Sequence, residues 1–217
     1  GTDIQYLGGD VTDGWRTSGS DIAWLLADPL IGTTIDADDT YAGNALPIRN
    51  GGLLESTDGD FAAQFHAVGT TGPWLEAVAQ GGQAAGSLWW PITALNDGGT
   101  DRIFCWHVDG NAPTPYGTLL DVHLVTLNAF GGYASMVDLN LGASDRFWVD
   151  GVIRDSVSGF TYIYGAQFIP DYDANDGNGQ PNYGQGDIEN HYTLKRIARV
   201  ANGSLATVAS WTFWDGT

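Results

Sequence analysis

The sequence predicts an all-β fold, organised as a β-propeller of about four blades. Three observations carry that prediction. Helical periodicity is nearly absent along the 217 residues; short runs rich in β-branched and aromatic side chains alternate instead with Gly, Asp and Asn turns. The chain holds 31 Gly, 9 Trp and 8 Phe, a composition suited to many short strands joined by tight turns. A loose internal repeat then appears when the runs are stacked.

Taken in order, the repeat units are "GGDVTDGWRTSGSDIAWLLAD", "RNGGLLESTDGDFAAQFHAV", "WPITALNDGGTDRIFCWHV" and "DGVIRDSVSGFTYIYGAQF". Each is a Gly-bearing or polar segment, a turn, and an aromatic-rich strand. The closing strands begin at Ile22, Phe61, Arg102 and Phe160, a spacing of about 40 to 60 residues that suits a propeller blade. Third strands follow the last two units at "LLDVHLVTL" and "YTLKRIARV", and fourth strands at "ASMVDLNL" and "ATVASWTFW". In such a blade the innermost strand lines a central channel, and ligands bind at one mouth of it. The channel-side segments are expected to start near Asp10, Asn50, Trp90 and Asp150. A β-sandwich or jelly roll of similar strand count is the alternative. "TGPWLEAVAQGGQAAG" is the stretch closest to helical, and its glycines oppose a helix. Residues 1–217 are read as one domain, long enough to bury a substantial core.

The charge balance narrows the partners. With 26 acidic against 8 basic residues the formal net charge is −18. A field of that sign repels phosphate backbones and anionic lipid, so no nucleic acid and no membrane surface is expected as partner, and neutral ligands such as sugars remain open. No apolar run reaches about 18 residues, so no spanning helix is expected. The chain opens at "GTDIQY" without Met or a signal peptide, as in a processed or trimmed product. Acidity, a single Lys (Lys195) and abundant Trp and Gly suit an extracellular setting.

Several motifs point away from cofactors. Cys105 is the only cysteine, which leaves no disulfide framework or zinc cluster; its place in "RIFCWHV" reads as core filler. His66, His107, His123 and His191 show no metal-ligand spacing, and His107 and His123 fall in strand-like runs, so no metal is assigned. The acidic stretch "DYDANDGNGQPNYGQGD" resembles a calcium loop, with Asp171, Asp173 and Asn175 at positions 1, 3 and 5. Yet Asp176 stands where the invariant Gly belongs, Asn182 where the bidentate Glu belongs, and strands flank it. A hydrated hairpin insertion explains the same letters; structural calcium stays as the alternative, without support from the motif. "NGS" at 202–204 is a glycosylation sequon, meaningful in a eukaryotic secretory context.

Two carboxylates are better placed for chemistry. Asp10 follows "LGG" and Asp28 follows "IAWLLA". If the two strands form the first hairpin, both residues can end at one mouth of the channel. Glycoside hydrolysis needs such a pair, one as acid and one as base or nucleophile. Trp15, Trp24 and Trp90 would offer sugar rings a flat apolar face. Asp is also a common turn residue, so the structural explanation stands beside the catalytic one.

These segments resemble a known family. "GGDVTDGWRTSGSDIAWLLADPLIGTT" is similar to the first blade of five-bladed propeller glycoside hydrolases, in particular the endo-D-arabinanase branch found in actinobacteria and their phages. That family's strand of the form Trp-Leu-Phe-Gly-Asp-Thr reads "AWLLADPLIG" here, with Trp24 and Asp28 matching and Ala27 and Pro29 departing. "LPIRNGGLLESTDGDF" resembles its Arg-Asn-Ser segment with Asn50 retained and Gly51 for Ser. "SLWWPITAL" and "GFTYIYGAQF…YTLKRIARVANGSLATVASWTFWDG" are similar to its Trp-Pro strand and late-blade pattern.

The resemblance implies Asp10 and Asp28 as catalytic carboxylates, with Trp24, Asn50, Trp90 and Asp150 lining subsites. It implies no cofactor and a polysaccharide substrate, most directly D-arabinan of actinobacterial walls. The location would be extracellular or on a virion surface. Against the family's five blades, about four are counted here, so a last blade would come from another chain or segment. Pro29 beside Asp28 removes a hydroxyl and a backbone donor. A non-catalytic glycan-binding or structural propeller is therefore the alternative.

Overall fold

The computed structural model describes residues 5–17, 21–32, 46–47, 50–55, 61–65, 87–109, 118–128, 133–141, 147–168 and 193–214. Among these residues the chain is all β, without an α-helix and with one 3-10 turn at Val208–Ser210. No helix among them is long and apolar enough to cross a membrane.

The strands form three antiparallel sheets. The first contains β1 (Gln5–Arg16), β2 (Ile22–Gly32), β3 (Leu46–Pro47), β4 (Asn50–Glu55) and β5 (Phe61–Phe65), in the order β1-β2-β4-β5 with β3 also paired to β2. The second runs β6 (Ser87–Asp97), β7 (Thr100–Asp109), β8 (Thr118–Leu127) and β9 (Tyr133–Asp138) in sequence order. The third runs β10 (Phe147–Asp155), β11 (Phe160–Phe168), β12 (Thr193–Ala201) and β13 (Thr212–Phe213) likewise. Local chemistry sets these meanders. The β6–β7 hairpin closes through Gly98 and Gly99, at φ 66° and 96°, as a two-residue turn with positive φ at both central positions requires.

The repeat reading placed a separate unit at Asn50, giving about four. The register places it elsewhere: Asn50–Glu55 pairs with residues 22–27 of β2, and β5 follows as its neighbour. Hence Asn50–Glu55 and Phe61–Phe65 supply the third and fourth strands in the order of the first sheet, and the described strands make three sheets. A hairpin of short strands reads the same in sequence whether it opens a meander or ends one. Which neighbour it joins is a long-range choice.

The second sheet lies between the other two, and the period-2 alternation of its strands serves both neighbours. Phe104, Val122 and Leu124 pack toward the third sheet with Phe147, Trp148, Val149, Ile163, Ala198, Val200 and Trp211. Ile103, Cys105 and Val125 pack the other way, against Trp15, Ala23 and Leu25 of the first sheet. Cys105 is fully buried, as its apolar run predicts, and burial pushes its thiol pKa up. Gly165 makes room in the third sheet, because a Cβ there would lie 2.4 Å from the Trp148 carbonyl and 2.5 Å from the Phe147 ring.

One irregularity recurs. The first strand of each sheet shifts register against the second, between Val11 and Asp13, between Pro91 and Thr93, and between Val149 and Gly151. The extra residues are Thr12, Ile92 and Asp150. A bulge of this kind bends a strand and strengthens its twist, so the three sheets share a device as well as an order.

Candidate functional site

Backbone register places the two predicted aspartates at neighbouring positions of paired strands. Asp10 pairs with Ala27 across β1 and β2, and Ala27 pairs with Asn50 across β2 and β4. Asp10, Ala27 and Asn50 thus form one row across three strands, and Asp28 is the next residue along. Pairing of β1 with β2 resumes at Gly8 and Leu30, so Gly9 stands against two residues, Asp28 and Pro29. This second irregularity explains how a proline is tolerated in a strand paired on both sides: it falls where the ladder is already offset. Bulges are enriched beside active sites, where they re-aim side chains.

The other predicted residues are distributed over the sheets. Trp24 is half-buried in β2, opposite Gly14, and lies across it; a Cβ on Gly14 would come within 2.9 Å of the indole. Trp15 is buried in the core between the first two sheets, which makes it packing and not a sugar platform. Trp90 is half-buried in β6, two residues before the bulge at Ile92, and therefore at the level Asp10 holds before Thr12. Its strand partner Trp106 donates its indole N–H to the Val149 carbonyl at 3.0 Å. Asp150 is itself the bulge residue of β10, exposed and paired with Lys195 at 3.0 Å. It therefore corresponds to Thr12 of β1, and the level of Asp10 in the third sheet is held by Trp148.

A second constellation, not anticipated from the sequence, lies in the second sheet. His107 of β7 pairs with Trp89 of β6 on one side and with Asp121 of β8 on the other. His123 sits two residues after Asp121, on the same face. His107 Nδ1 lies 3.2 Å from Asp121 Oδ1 and 3.3 Å from Oδ2, and His123 Nε2 lies 2.6 Å from Oδ1. Trp89 covers both imidazoles with centroid separations of 4.6 Å each. His107 is buried, whereas the Asp121 side chain is 33% exposed. Partial burial pushes the Asp121 carboxyl up, but hydrogen bonds and charge from His107 and His123 outweigh it and hold the group well below the usual carboxylate range. The spacing between His107 and Asp121 hides this cluster in the sequence. The legible signal was the Asp-x-His of "LLDVHLVTL", two polar residues on one face of an apolar strand.

The acidic stretch 171–187, His66 and His191 lie outside the described residues. The sequon asparagine is engaged in the fold: Asn202 is half-buried, accepts from Thr161 Oγ1 at 2.8 Å and donates its amide to the Asp155 carbonyl at 3.2 Å.

No family model matches the chain, and no curated protein matches it. Among solved structures it is similar to a "putative hydrolase" from Bacteroides ovatus ATCC 8483, with a TM-score of 0.65 and 15% sequence identity. The match covers 96% of this chain and 52% of the other, so the chain spans about half the length of that protein. At this identity the likeness is one of fold: the all-β architecture seen here is shared with the Bacteroides protein.

Proposed function

We propose that the chain is a hydrolase of glycosidic bonds, with Asp10 and Asp28 as its carboxylate pair. The row Asp10–Ala27–Asn50, with Asp28 in the adjoining offset, is the observation that carries this reading. Residues opposite one another on antiparallel strands have Cα atoms about 4.5–5.5 Å apart. Asp28 adjoins Ala27, the partner of Asp10, so the reading requires the offset at Gly9 to turn both carboxyls to one face, at the roughly 5 to 9.5 Å that glycosidases use. One carboxyl protonates the leaving oxygen; the other activates water or attacks the sugar directly. Asn50 would supply an amide to a sugar hydroxyl, Trp24 and Trp90 would offer apolar faces, and Asp150 would border the outer subsites. The fold likeness to a protein named as a hydrolase agrees with this class of activity.

On this reading the three meanders are blades of a propeller of the five-bladed type, completed by a further segment or chain. The substrate is a furanoside polysaccharide, with D-arabinan of actinobacterial walls the first polymer to test. A net charge of −18 favours such a neutral polymer over an acidic one. The setting is extracellular or on a virion surface, with no cofactor in the chemistry. One observation favours a second reading, a glycan-binding propeller without turnover. Pro29, in the offset beside Asp28, has no backbone N–H to donate there.

Product release from purified arabinan decides between them, measured for the chain beside Asp10→Asn and Asp28→Asn. A hydrolase releases oligosaccharides, and each substitution lowers the rate by about 10²- to 10⁴-fold. Retained arabinan binding with no product from any form would leave the recognition module. Neither binding nor product, from the chain and from its longest parent alike, would remove both readings.

A further inference from the structure

We propose that His107, Asp121 and His123 form a binding site for one divalent cation of the zinc class. Across the described residues these are the three ligand-bearing side chains whose donor atoms converge, all within 4.8 Å of one another. Two imidazoles and one carboxylate are a donor set suited to zinc and its transition-metal neighbours, and too nitrogen-rich and too small in number for calcium. Zinc bonds of about 2.0–2.2 Å at tetrahedral angles place donor atoms a little over 3 Å apart. His107 Nδ1 and the Asp121 oxygens already stand at 3.2 and 3.3 Å. The 2.6 Å contact between His123 Nε2 and Asp121 Oδ1 lacks hydrogen-bond geometry, and both atoms are buried without a hydrogen-bond partner. A cation ligated by both atoms would widen that contact by less than about 1 Å.

The scaffold supports this assignment. All three ligands come from the paired strands β7 and β8, so their spacing is held by the ladder and not by a loop. Trp89 packs against both imidazoles and limits their rotation, which keeps His107 Nδ1 and His123 Nε2 aimed at one carboxylate. The histidines are buried while Asp121 is partly exposed, so solvent reaches one side only. That side provides the entry path and the position for a fourth, exchangeable ligand. The site is separate from the row of Asp10, Ala27 and Asn50, which lies in the first sheet.

The test titrates metal-stripped chain with Zn²⁺, and in parallel with Co²⁺ and Ca²⁺. The readouts are bound metal after dialysis, thermal stability, the visible spectrum of the cobalt form, and imidazole resonances. The expected result is one Zn²⁺ per chain, a higher melting temperature, a cobalt spectrum typical of low coordination number, and no response to Ca²⁺. Resonances of His107 and His123 should shift while those of His66 and His191 stay. Asp121→Asn and His123→Gln should weaken Zn²⁺ by more than the roughly tenfold to hundredfold that loss of an outer-shell partner costs. Failure of the wild-type chain to retain Zn²⁺ or Co²⁺ would overturn the proposal. So would uptake that leaves those two histidines unshifted, which needs no variant to fold.

Discussion

The two interfaces of the second sheet are built from alternate residues of the same strands, yet they differ in kind. Toward the third sheet the contact is aromatic and apolar. Phe104 and Phe147 each meet Trp211 edge-on at 6.4 and 6.5 Å, Phe147 meets Phe213 at 5.2 Å, and Trp106 meets Trp148 at 6.2 Å. Polar ties sit at its margin, where the Gly203 N–H donates to Asp97 and Arg154 donates to the Asn96 carbonyl. Toward the first sheet, the apolar contact of Ile103, Cys105 and Val125 with Trp15 and Leu25 gives way at one end to His107, Asp121 and His123. Charged hydrogen bonding enters there too: Asp13 accepts from Thr93 Oγ1 at 2.6 Å, from the Ala94 amide at 2.9 Å and from the Gly14 amide at 2.8 Å. One interface is organised for cohesion. The other combines cohesion with groups that can bind or exchange protons, and it faces the sheet carrying Asp10 and Asp28.

This contrast can be broken by mutation, and the largest effect should come from the aromatic side. Phe104→Ala removes a fully buried ring from the aromatic cluster, and chemical denaturation should show a loss of about 3–5 kcal/mol. The polar side should yield less per residue. Asp13→Ala strips the acceptor from Thr93, Ala94 and Gly14; loss of hydrogen bonding to a charged group predicts about 1.5–3 kcal/mol in the same measurement. If Asp13→Ala matched Phe104→Ala, the division into a cohesive and a chemical interface would be wrong. The smallest effect is expected on the outer side of the third sheet. Lys195 is 75% exposed in its pair with Asp150, and Lys195→Met should change stability by no more than about 1 kcal/mol, less in high salt. It would also release Asp150 and so show whether that carboxylate influences glycan binding.

Much of the fold was legible. Alternation and turn chemistry located β1, β2, β6, β7, β8, β10, β11 and β12 because these signals act over a few residues. The "NDGG" turn is the clearest case, since two positive-φ glycines leave little choice but a tight hairpin. Trp15 was placed beside Trp24 as a sugar platform and proved to be core. A tryptophan in a strand faces one side or the other according to register, and the bulge at Thr12 alters that register. Asp150 was aligned with Asp10 by loose counting along the repeat, whereas the bulge that the sheets share aligns it with Thr12.

The sequence by itself determined that this chain is all-β and antiparallel, that it carries a strong negative field, and that Asp10 and Asp28 lie on its first two long strands. Each follows from local periodicity, turn residues or net charge, none of which needs a distant partner. Only the tertiary structure decided that β4 and β5 complete the first sheet, that Asn50 joins the row of Asp10, and that His107 and His123 meet at Asp121. Those outcomes depend on strand register and on which sheet packs against which face. Both are settled by burying apolar area across the whole assembly, so no short stretch of residues encodes them alone.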